Sequence, residues 1–251
     1  MATQKKELTV EEKLKAMRLP RMKEEYLKQK EDPSYLSISF EERFKQMVDL
    51  EYDARISSTI EKLIRKADFY DSSASLEGVN YKPSRKLDKG QIDSLSDNSY
   101  IASHLNIILV GATGSGKTWL SCAFGVNACK ARYKVKYIRL PDLFSEFEAK
   151  KIQGKYREYI KEMKKYDLLI LDEFLLVTTS TSERNDLLEL IEARINRKST
   201  IFASQWLPEG WHERLGGGAV ADAILDRIIN SSYTIPLYGD SLREDYSLIK
   251  K

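Results

Sequence analysis

The chain has 251 residues, of which 42% are hydrophobic and 31% charged, and its formal net charge is +3. This composition favours one large domain with a smaller appendage and argues against pervasive disorder. No apolar run approaches the roughly 18 to 20 residues of a membrane-spanning helix, and the N-terminal sequence lacks the hydrophobic segment of a secretory signal. Cys122 and Cys129 lack metal-ligand spacing to the two histidines and are expected to be free thiols, which favours a reducing, cytosolic compartment.

Residues 1–70 have the pattern of a small all-helical domain. Capping boxes at 9–12 and 39–42 each predict the start of a helix, and Pro20 interrupts the first one. The second helix carries apolar residues at three- and four-residue spacing, namely Phe44, Met47, Val48, Tyr52, Ile56, Ile60 and Leu63. Residues 71–104 follow, and because 71–98 are rich in Ser, Asp and Gly, we expect a linker there.

From residue 105 onward, short apolar segments alternate with helical ones. The segments predict strands at 105–110, 135–140, 168–171, 199–204 and 232–237. The intervening sequence predicts helices at 118–131, 141–165, 182–196 and 219–230. Strands that are apolar throughout and alternate with helices are typical of a parallel sheet covered on both faces. The sequence therefore predicts an α/β domain over 105–251.

A glycine-rich motif, G-x-x-x-x-G-K-T, lies between the first of these strands and the following helix. Its glycines allow a tight turn whose backbone amides face one anion, and the helix N-terminus adds a positive dipole. Lys117 is expected to reach the terminal phosphates and the Thr118 hydroxyl to bind Mg²⁺. The predicted nucleotide-contacting residues are Gly111, Ala112, Thr113, Gly114, Ser115, Gly116, Lys117, Thr118 and Trp119.

Two carboxylates follow the third predicted strand, 168–171. Asp172 and Glu173 come directly after Leu168–Leu171, at the end of a strand where open α/β sheets bind ligands. We expect Asp172 to hold Mg²⁺, largely through water, and Glu173 to deprotonate the attacking water. A pair of acids ending a strand is common in isolation, but after the glycine-rich motif it points to nucleotide hydrolysis.

Charge is unevenly distributed along the chain. Residues 130–165 carry 12 basic and 5 acidic side chains, whereas residues 166–251 carry 9 basic and 14 acidic ones. A basic region of this kind suits a polyanion such as nucleic acid. Because glutamates are mixed in at helical spacing, an ordinary solvated helix face is the alternative.

These motifs together resemble the IstB family of AAA+ ATPases, which assist transposition by insertion-sequence elements. The resemblance rests on the stretch from Gly111 to Leu140, on LLILDEF, FASQWLPEGWHE and AILDRIIN, and on the N-terminal LKAMRLPRMKEEY and SFEERFKQMVDLEYDAR. It thus covers nearly the whole chain. The family is close to the DnaC-type helicase loaders, and the resemblance implies an AAA+ core preceded by a helical N-terminal domain.

The resemblance implies further site residues. Gln205 falls at the position of the first sensor, where related loaders usually carry Asn, and Arg243 resembles the second sensor. Arg227 resembles the arginine finger that acts on the ATP of a neighbouring subunit, which implies a homo-oligomer with ATP at its interfaces. The alternatives are a surface ion pair for Arg227 and a solvated charge for Arg243. Trp206 and Trp211 are interpreted as packing residues.

The resemblance also implies partners. Duplex DNA, bound largely without sequence specificity, and a cognate transposase are expected, and the DNA-binding candidates are Lys130, Arg132, Lys134 and Lys136. The expected location is the bacterial cytosol, with association with the nucleoid when on DNA. Two other hypotheses stay open: a DnaC-like replicative helicase loader, and a scaffold that binds ATP but barely hydrolyses it.

Overall fold

A computed structural model gives the positions of residues 7–239. Contacts within the chain divide it into two compact units, Met1–Lys62 and Leu63–Lys251. The boundary falls inside the long helix with which the predicted N-terminal domain ends, a few residues before position 70.

The first unit is helical, as the sequence predicts. Its helices are α1 (Val10–Ala16), α2 (Pro20–Glu31) and α3 (Phe40–Ala67), and a short 3-10 helix spans Pro33–Ser37. Thr9 and Glu12 form the reciprocal capping box at the start of α1. Ser39 and Glu42 exchange the same pair of hydrogen bonds before α3.

A buried carboxylate joins α2 to α3. Glu51 on α3 accepts hydrogen bonds from the backbone amides of Arg21 and Met22, at 2.9 and 3.3 Å, and from Arg55 at 2.8 Å. These amides belong to the first turn of α2, where the helix has no partners of its own for them. Burial alone would raise the pKa of Glu51, but these hydrogen bonds outweigh it and hold that pKa below its usual value.

The second unit contains one five-stranded parallel sheet with strand order β2-β3-β4-β1-β5. Its strands are β1 (Asn106–Gly111), β2 (Val135–Arg139), β3 (Leu168–Asp172), β4 (Ser199–Ser204) and β5 (Ser232–Leu237). Its helices are α4 (Lys89–Leu95), α5 (Ser99–Ala102), α6 (Lys117–Lys130), α7 (Leu140–Ile152), α8 (Tyr156–Met163), α9 (Thr181–Arg194), α10 (Trp211–Arg214) and α11 (Gly218–Ile229). The predicted α/β architecture is confirmed.

Alternate residues of β1, β3 and β4 enter two separate cores. Ile107 and Leu109 of β1 face α6 and the segment that precedes the sheet, whereas Ile108 packs with α7, α8, α9 and α11 on the other face. Leu169 and Leu171 of β3 follow the same alternation. Because both faces are covered, the three inner strands β3, β4 and β1 are buried almost throughout, and the sequences of β1 and β3 are accordingly almost continuously apolar, whereas β2 and β5 at the sides of the sheet are only partly buried.

Residues 71–104, for which the sequence indicates a linker, form part of the second unit. They contain α4 and α5 and contribute buried residues to the core that faces α6, namely Ala74, Ile92, Leu95, Tyr100 and Ile101. The Ser and Asp side chains serve as helix caps: Ser75 accepts from the Gly78 amide and Asp88 from the Gln91 amide. The polar composition therefore reflects short capped helices rather than flexibility.

Two further details refine the sequence-based expectations. The segment predicted as one helix over 141–165 is two, α7 and α8, with Gly154 at φ +69° in the turn between them. Cys122 and Cys129 are free, as expected, and both are buried. None of the described helices combines the length and apolar content needed to cross a membrane.

Candidate active site

The glycine-rich motif forms the turn between β1 and α6. Gly114 and Gly116 have φ angles of +82° and +91°, a left-handed conformation that glycine adopts without steric cost. Such positions between right-handed ones turn successive backbone amides toward a common concavity, which is a general anion-binding geometry. The first turn of α6 begins at Lys117, so its free amides and positive dipole end add to this site.

Gly111 is required for a different reason, namely close packing. A Cβ atom at this position would overlap the backbone carbonyl oxygen of Leu237 on β5 and would lie 2.8 Å from Oγ of Ser115. The loop therefore starts where two neighbouring strands leave no room for a side chain.

Two cations contact the carbonyl groups of the loop. Nζ of Lys117 donates to the carbonyls of Gly111 and Ala112 at 2.7 and 2.8 Å, and this lysine is 9% exposed. Arg85 donates to the Ser115 carbonyl at 2.6 Å from the segment that precedes the sheet. Arg85 is a contact that the sequence analysis missed, since a single arginine in a polar stretch carries no recognisable signal.

The two halves of the predicted magnesium site meet. Asp172 ends β3 and is 3% exposed, and its Oδ2 accepts a hydrogen bond from Oγ1 of Thr118 at 2.7 Å. The same Oδ2 accepts from the Tyr137 hydroxyl at 2.8 Å, and Oδ1 accepts from the Glu173 amide at 2.8 Å. Burial, and then the Asp172 charge, raise the pKa of Tyr137 well above its usual range.

This donor set fits Mg²⁺. A hydroxyl and a carboxylate oxygen are hard ligands, and Mg²⁺ is usually held by one or two such groups together with water and substrate phosphates. Among residues 7–239, no group of three or more His, Cys, Asp or Glu side chains is arranged to hold a metal ion. A metal site in this part of the chain would therefore need ligands such as a hydroxyl, water or phosphate oxygens. Thr118 and Asp172 are therefore the residues that could hold the ion.

Glu173 stands where β3 leaves the sheet. Its backbone is left-handed, with φ +52°, an uncommon conformation for a non-glycine residue that concentrates at active sites. Its side chain is 36% exposed, and one carboxylate oxygen lies 3.8 Å from the Arg139 guanidinium. Arg139, at the end of β2, also makes two hydrogen bonds to Asp142, at 2.7 and 2.9 Å. Glu173 thus lies near a cation and is accessible to water.

Gln205 follows β4, the strand between β3 and β1, so it leaves the sheet between the two strand ends that carry the motifs. Its side chain is exposed. The preceding Ser204 is fixed, because its hydroxyl donates to the Phe174 carbonyl at 2.8 Å and accepts from the Trp206 amide at 3.1 Å. Trp211 is fully buried, as expected, whereas Trp206 is 43% exposed and stacks with Arg214 at 4.1 Å.

Arg227 lies away from the phosphate loop of its own chain. It is near the end of α11, and it lines a small cavity with Asn106, the first residue of β1, and Thr200, near the start of β4. The phosphate loop lies at the carboxyl end of β1, whereas Arg227 lies near its amino end, so the two sites are at opposite ends of the strands. Arg227 donates to Glu192 at 3.0 Å and to the Ala223 carbonyl at 2.8 Å.

Trp119 and Arg243 complete the set of predicted site residues. Trp119 is partly buried in the core that faces α6, and a side chain at Gly78 would contact its ring at 3.3 Å. Arg243 lies outside the described residues.

The four basic candidates lie at the amino ends of the strands, opposite the end that carries the phosphate loop, since they are at the end of α6 and the start of β2. Lys130, Arg132 and Lys134 are exposed. Lys136 differs, because its Nζ pairs with Asp68 at 3.1 Å and its side chain is 19% exposed.

The sheet, the glycine-rich loop and the Thr118–Asp172 pair define a P-loop ATP-binding protein with an AAA+ fold. Solved structures share this fold: DnaA from Aquifex aeolicus bound to AMPPCP matches with a TM-score of 0.59 and 22% identity, over 71% of this chain and 54% of that one. The DnaC helicase loader matches with a TM-score of 0.53 and 18% identity, over 65% of this chain and 96% of that one. This chain thus spans little more than half of DnaA.

Sequence comparison gives the family. The profile of the family described as IstB-like ATP binding protein matches residues 12–248, and the chain belongs to this family. A protein of Sinorhizobium fredii named as an insertion sequence ATP-binding protein, y4pL, is 38% identical over 67% of this chain and 69% of its own length. The protein named as the ATP-binding protein of insertion sequence IS1162, from Pseudomonas fluorescens, is 35% identical over 69% of this chain and 75% of its own length.

The close packing at Gly111 gives a first prediction. Gly111→Ala is expected to lower the free energy of unfolding by about 1–3 kcal/mol, because β5 or the loop must shift to admit the methyl group. It should also weaken binding of a fluorescent ATP analogue. Urea unfolding and fluorescence titration measure the two effects.

The control is Gly210→Ala, since a Cβ there meets no atom within 4 Å and the φ angle is −86°. It should change stability by no more than about 0.5 kcal/mol. Equal effects of the two substitutions on stability and binding would contradict the packing argument.

Proposed function

We propose that the protein is an ATPase that hydrolyses ATP to ADP and phosphate with Mg²⁺. The observation that carries the proposal is the convergence of Lys117, the Thr118–Asp172 pair and Glu173 at one edge of the sheet. The nucleotide-contacting residues are those of the loop, Gly111, Ala112, Thr113, Gly114, Ser115, Gly116, Lys117 and Thr118, followed by Trp119.

Each residue has a role in this proposal. The loop amides and Lys117 bind the phosphates, and Thr118 with Asp172 holds Mg²⁺, which when bound neutralises charge that develops on the phosphates. Glu173 orients a water molecule and accepts its proton. Gln205, directly after β4, is proposed to orient the same water or the terminal phosphate, and Arg243 is proposed as a second phosphate contact on the basis of family resemblance alone.

Removal of the base tests hydrolysis. Glu173→Gln is expected to lower kcat by about 10²- to 10⁴-fold, because the amide cannot accept the proton. Affinity for ATP should be retained, since Glu173 makes none of the loop contacts. Steady-state turnover and nucleotide titration, with the exposed Glu209→Gln as the control, provide the measurements. Unchanged turnover in Glu173→Gln would contradict the role, and negligible turnover in the unaltered protein would favour the ATP-binding scaffold.

We further propose that the protein works as an oligomer in which Arg227 serves the ATP site of a neighbour. The support is its position. Arg227 lies at the amino ends of the strands, whereas its own phosphate loop lies at their carboxyl ends, so it cannot reach its own nucleotide. An arginine supplied by a partner stabilises transition-state charge and is worth about 10³- to 10⁵-fold in turnover in other nucleotide hydrolases.

A mixing experiment tests this arrangement. Arg227→Ala and Glu173→Gln should each be inactive alone, whereas a 1:1 mixture should regain up to about a quarter of the original turnover. Interfaces then form between an intact Glu173 site and an intact Arg227.

The matched control mixes Lys117→Ala with Glu173→Gln. Both lesions lie in the same site, so no combination of subunits is complete. Recovery no greater than in this control would contradict action in trans.

The biological role that we propose is to assemble with ATP on duplex DNA in the bacterial cytosol, mark a target site, and recruit and stimulate a transposase. The names of the relatives, which tie them to insertion sequences, support it. The exposed Lys130, Arg132 and Lys134 support contact with DNA phosphates, and the helical first unit is the proposed contact for a protein partner. A replicative helicase loader is the second candidate, favoured by the fold shared with DnaC.

Turnover should therefore rise with long duplex DNA, steeply in protein concentration, and the rise should be lost at high salt. Replacing Lys130, Arg132 and Lys134 together by Ala should reduce the salt dependence of DNA affinity by about one counterion per contact. Lys136→Ala is the control, because its charge is already paired with Asp68. Stimulation by single strands or a helicase, but not by duplex, would favour the loader.

A further inference from the structure

We infer that Tyr137 is a positioning residue that holds the carboxylate of Asp172 in the orientation needed to bind Mg²⁺. This inference rests on the proposed function, and it adds a residue from a strand that contributes nothing to either nucleotide-binding motif.

Tyr137 lies on β2, the edge strand next to β3. Arg139 pairs with Asp172 in the strand register, so Tyr137 is two residues earlier, opposite Ile170. From there its side chain extends along the sheet, and its hydroxyl donates to Oδ2 of Asp172 at 2.8 Å. The tyrosine is 7% exposed, so no bulk water competes for the contact.

The hydrogen bonds of Asp172 fix both of its oxygens. Oδ2 accepts from Thr118 at 2.7 Å and from Tyr137 at 2.8 Å, and Oδ1 accepts from the Glu173 amide at 2.8 Å. Rotation of the carboxylate would break all three bonds at once. Tyr137 is the donor in this set that belongs to neither the phosphate loop nor the end of β3, so it can hold Asp172 independently of both.

The hydroxyl of Tyr137 is the functional part of this argument, since its ring is also a core residue next to α6. A buried hydroxyl needs a partner or it destabilises the fold, and here the partner is the candidate metal ligand. Groups that orient a metal ligand typically change metal affinity or activity by about 10- to 100-fold when they are removed. Removing the hydroxyl while keeping the ring separates the two roles.

The test compares Tyr137→Phe with Tyr100→Phe in the full chain. Tyr100 is a matched control, because it is 1% exposed in the same core and its hydroxyl has no hydrogen-bond partner among the described residues. Affinity for a fluorescent ATP analogue is measured in EDTA and over a series of MgCl₂ concentrations, and the melting temperature is measured in both conditions.

Tyr137→Phe should raise the Mg²⁺ concentration for half-maximal nucleotide affinity by about 10- to 100-fold. Its affinity in EDTA should equal that of the unaltered protein, and saturating Mg²⁺ should restore ATP turnover. Tyr100→Phe should leave all of these quantities unchanged.

Three outcomes would overturn the inference. The first is a Mg²⁺ midpoint for Tyr137→Phe that matches that of Tyr100→Phe. The second is an equal loss of nucleotide affinity in EDTA and in Mg²⁺ with a lower melting temperature, because that pattern indicates a purely structural role. The third is nucleotide binding by the unaltered protein that ignores Mg²⁺, which would overturn the proposed metal site as well, whereas the first two leave that site intact.

Discussion

The hydrogen bond between Thr118 and Asp172 connects residues 54 positions apart, and the active site depends on the arrangement that creates it. Parallel strands bring their carboxyl ends to one edge, so the loop after β1 and the acids after β3 meet although β4 lies between them. The segment after β3 is held to β4, since the Phe174 amide donates to the Ala203 carbonyl at 2.8 Å. On the other side of β1, Gly111 packs closely against the backbone of Leu237 on β5.

The strands and the two nucleotide-binding motifs could be predicted from the sequence, because each is defined by a short stretch of neighbouring residues. The bounds of β4 and β5 agree with the predicted strands, since each apolar segment is bounded by polar residues or turns. The role of residues 71–104 could not be predicted, because Ser and Asp are frequent both in flexible linkers and at the caps of short helices. Tyr137 was missed for a related reason: it fits an ordinary strand pattern, and its partner is 35 residues away.

Charge counts along the chain show a similar limit. The basic excess of 130–165 includes Lys136 and Lys151, whose partners Asp68 and Asp186 come from distant parts of the sequence. Arg139 is likewise engaged with Asp142 and Glu173. The exposed positive surface is therefore smaller than the sequence suggests, and its extent becomes visible only when the fold places the acidic partners.

The separation of Arg227 from the phosphate loop, at opposite ends of the strands, has a geometric consequence for any assembly in which this arginine completes a neighbour's site. Two unlike surfaces must meet, so subunits join head to tail and the series has a direction. If the rotation between subunits does not close a ring, the two ends differ chemically. One end has a nucleotide site without a donated arginine, and the other has an arginine without a site, so growth and disassembly at the two ends need not be equivalent.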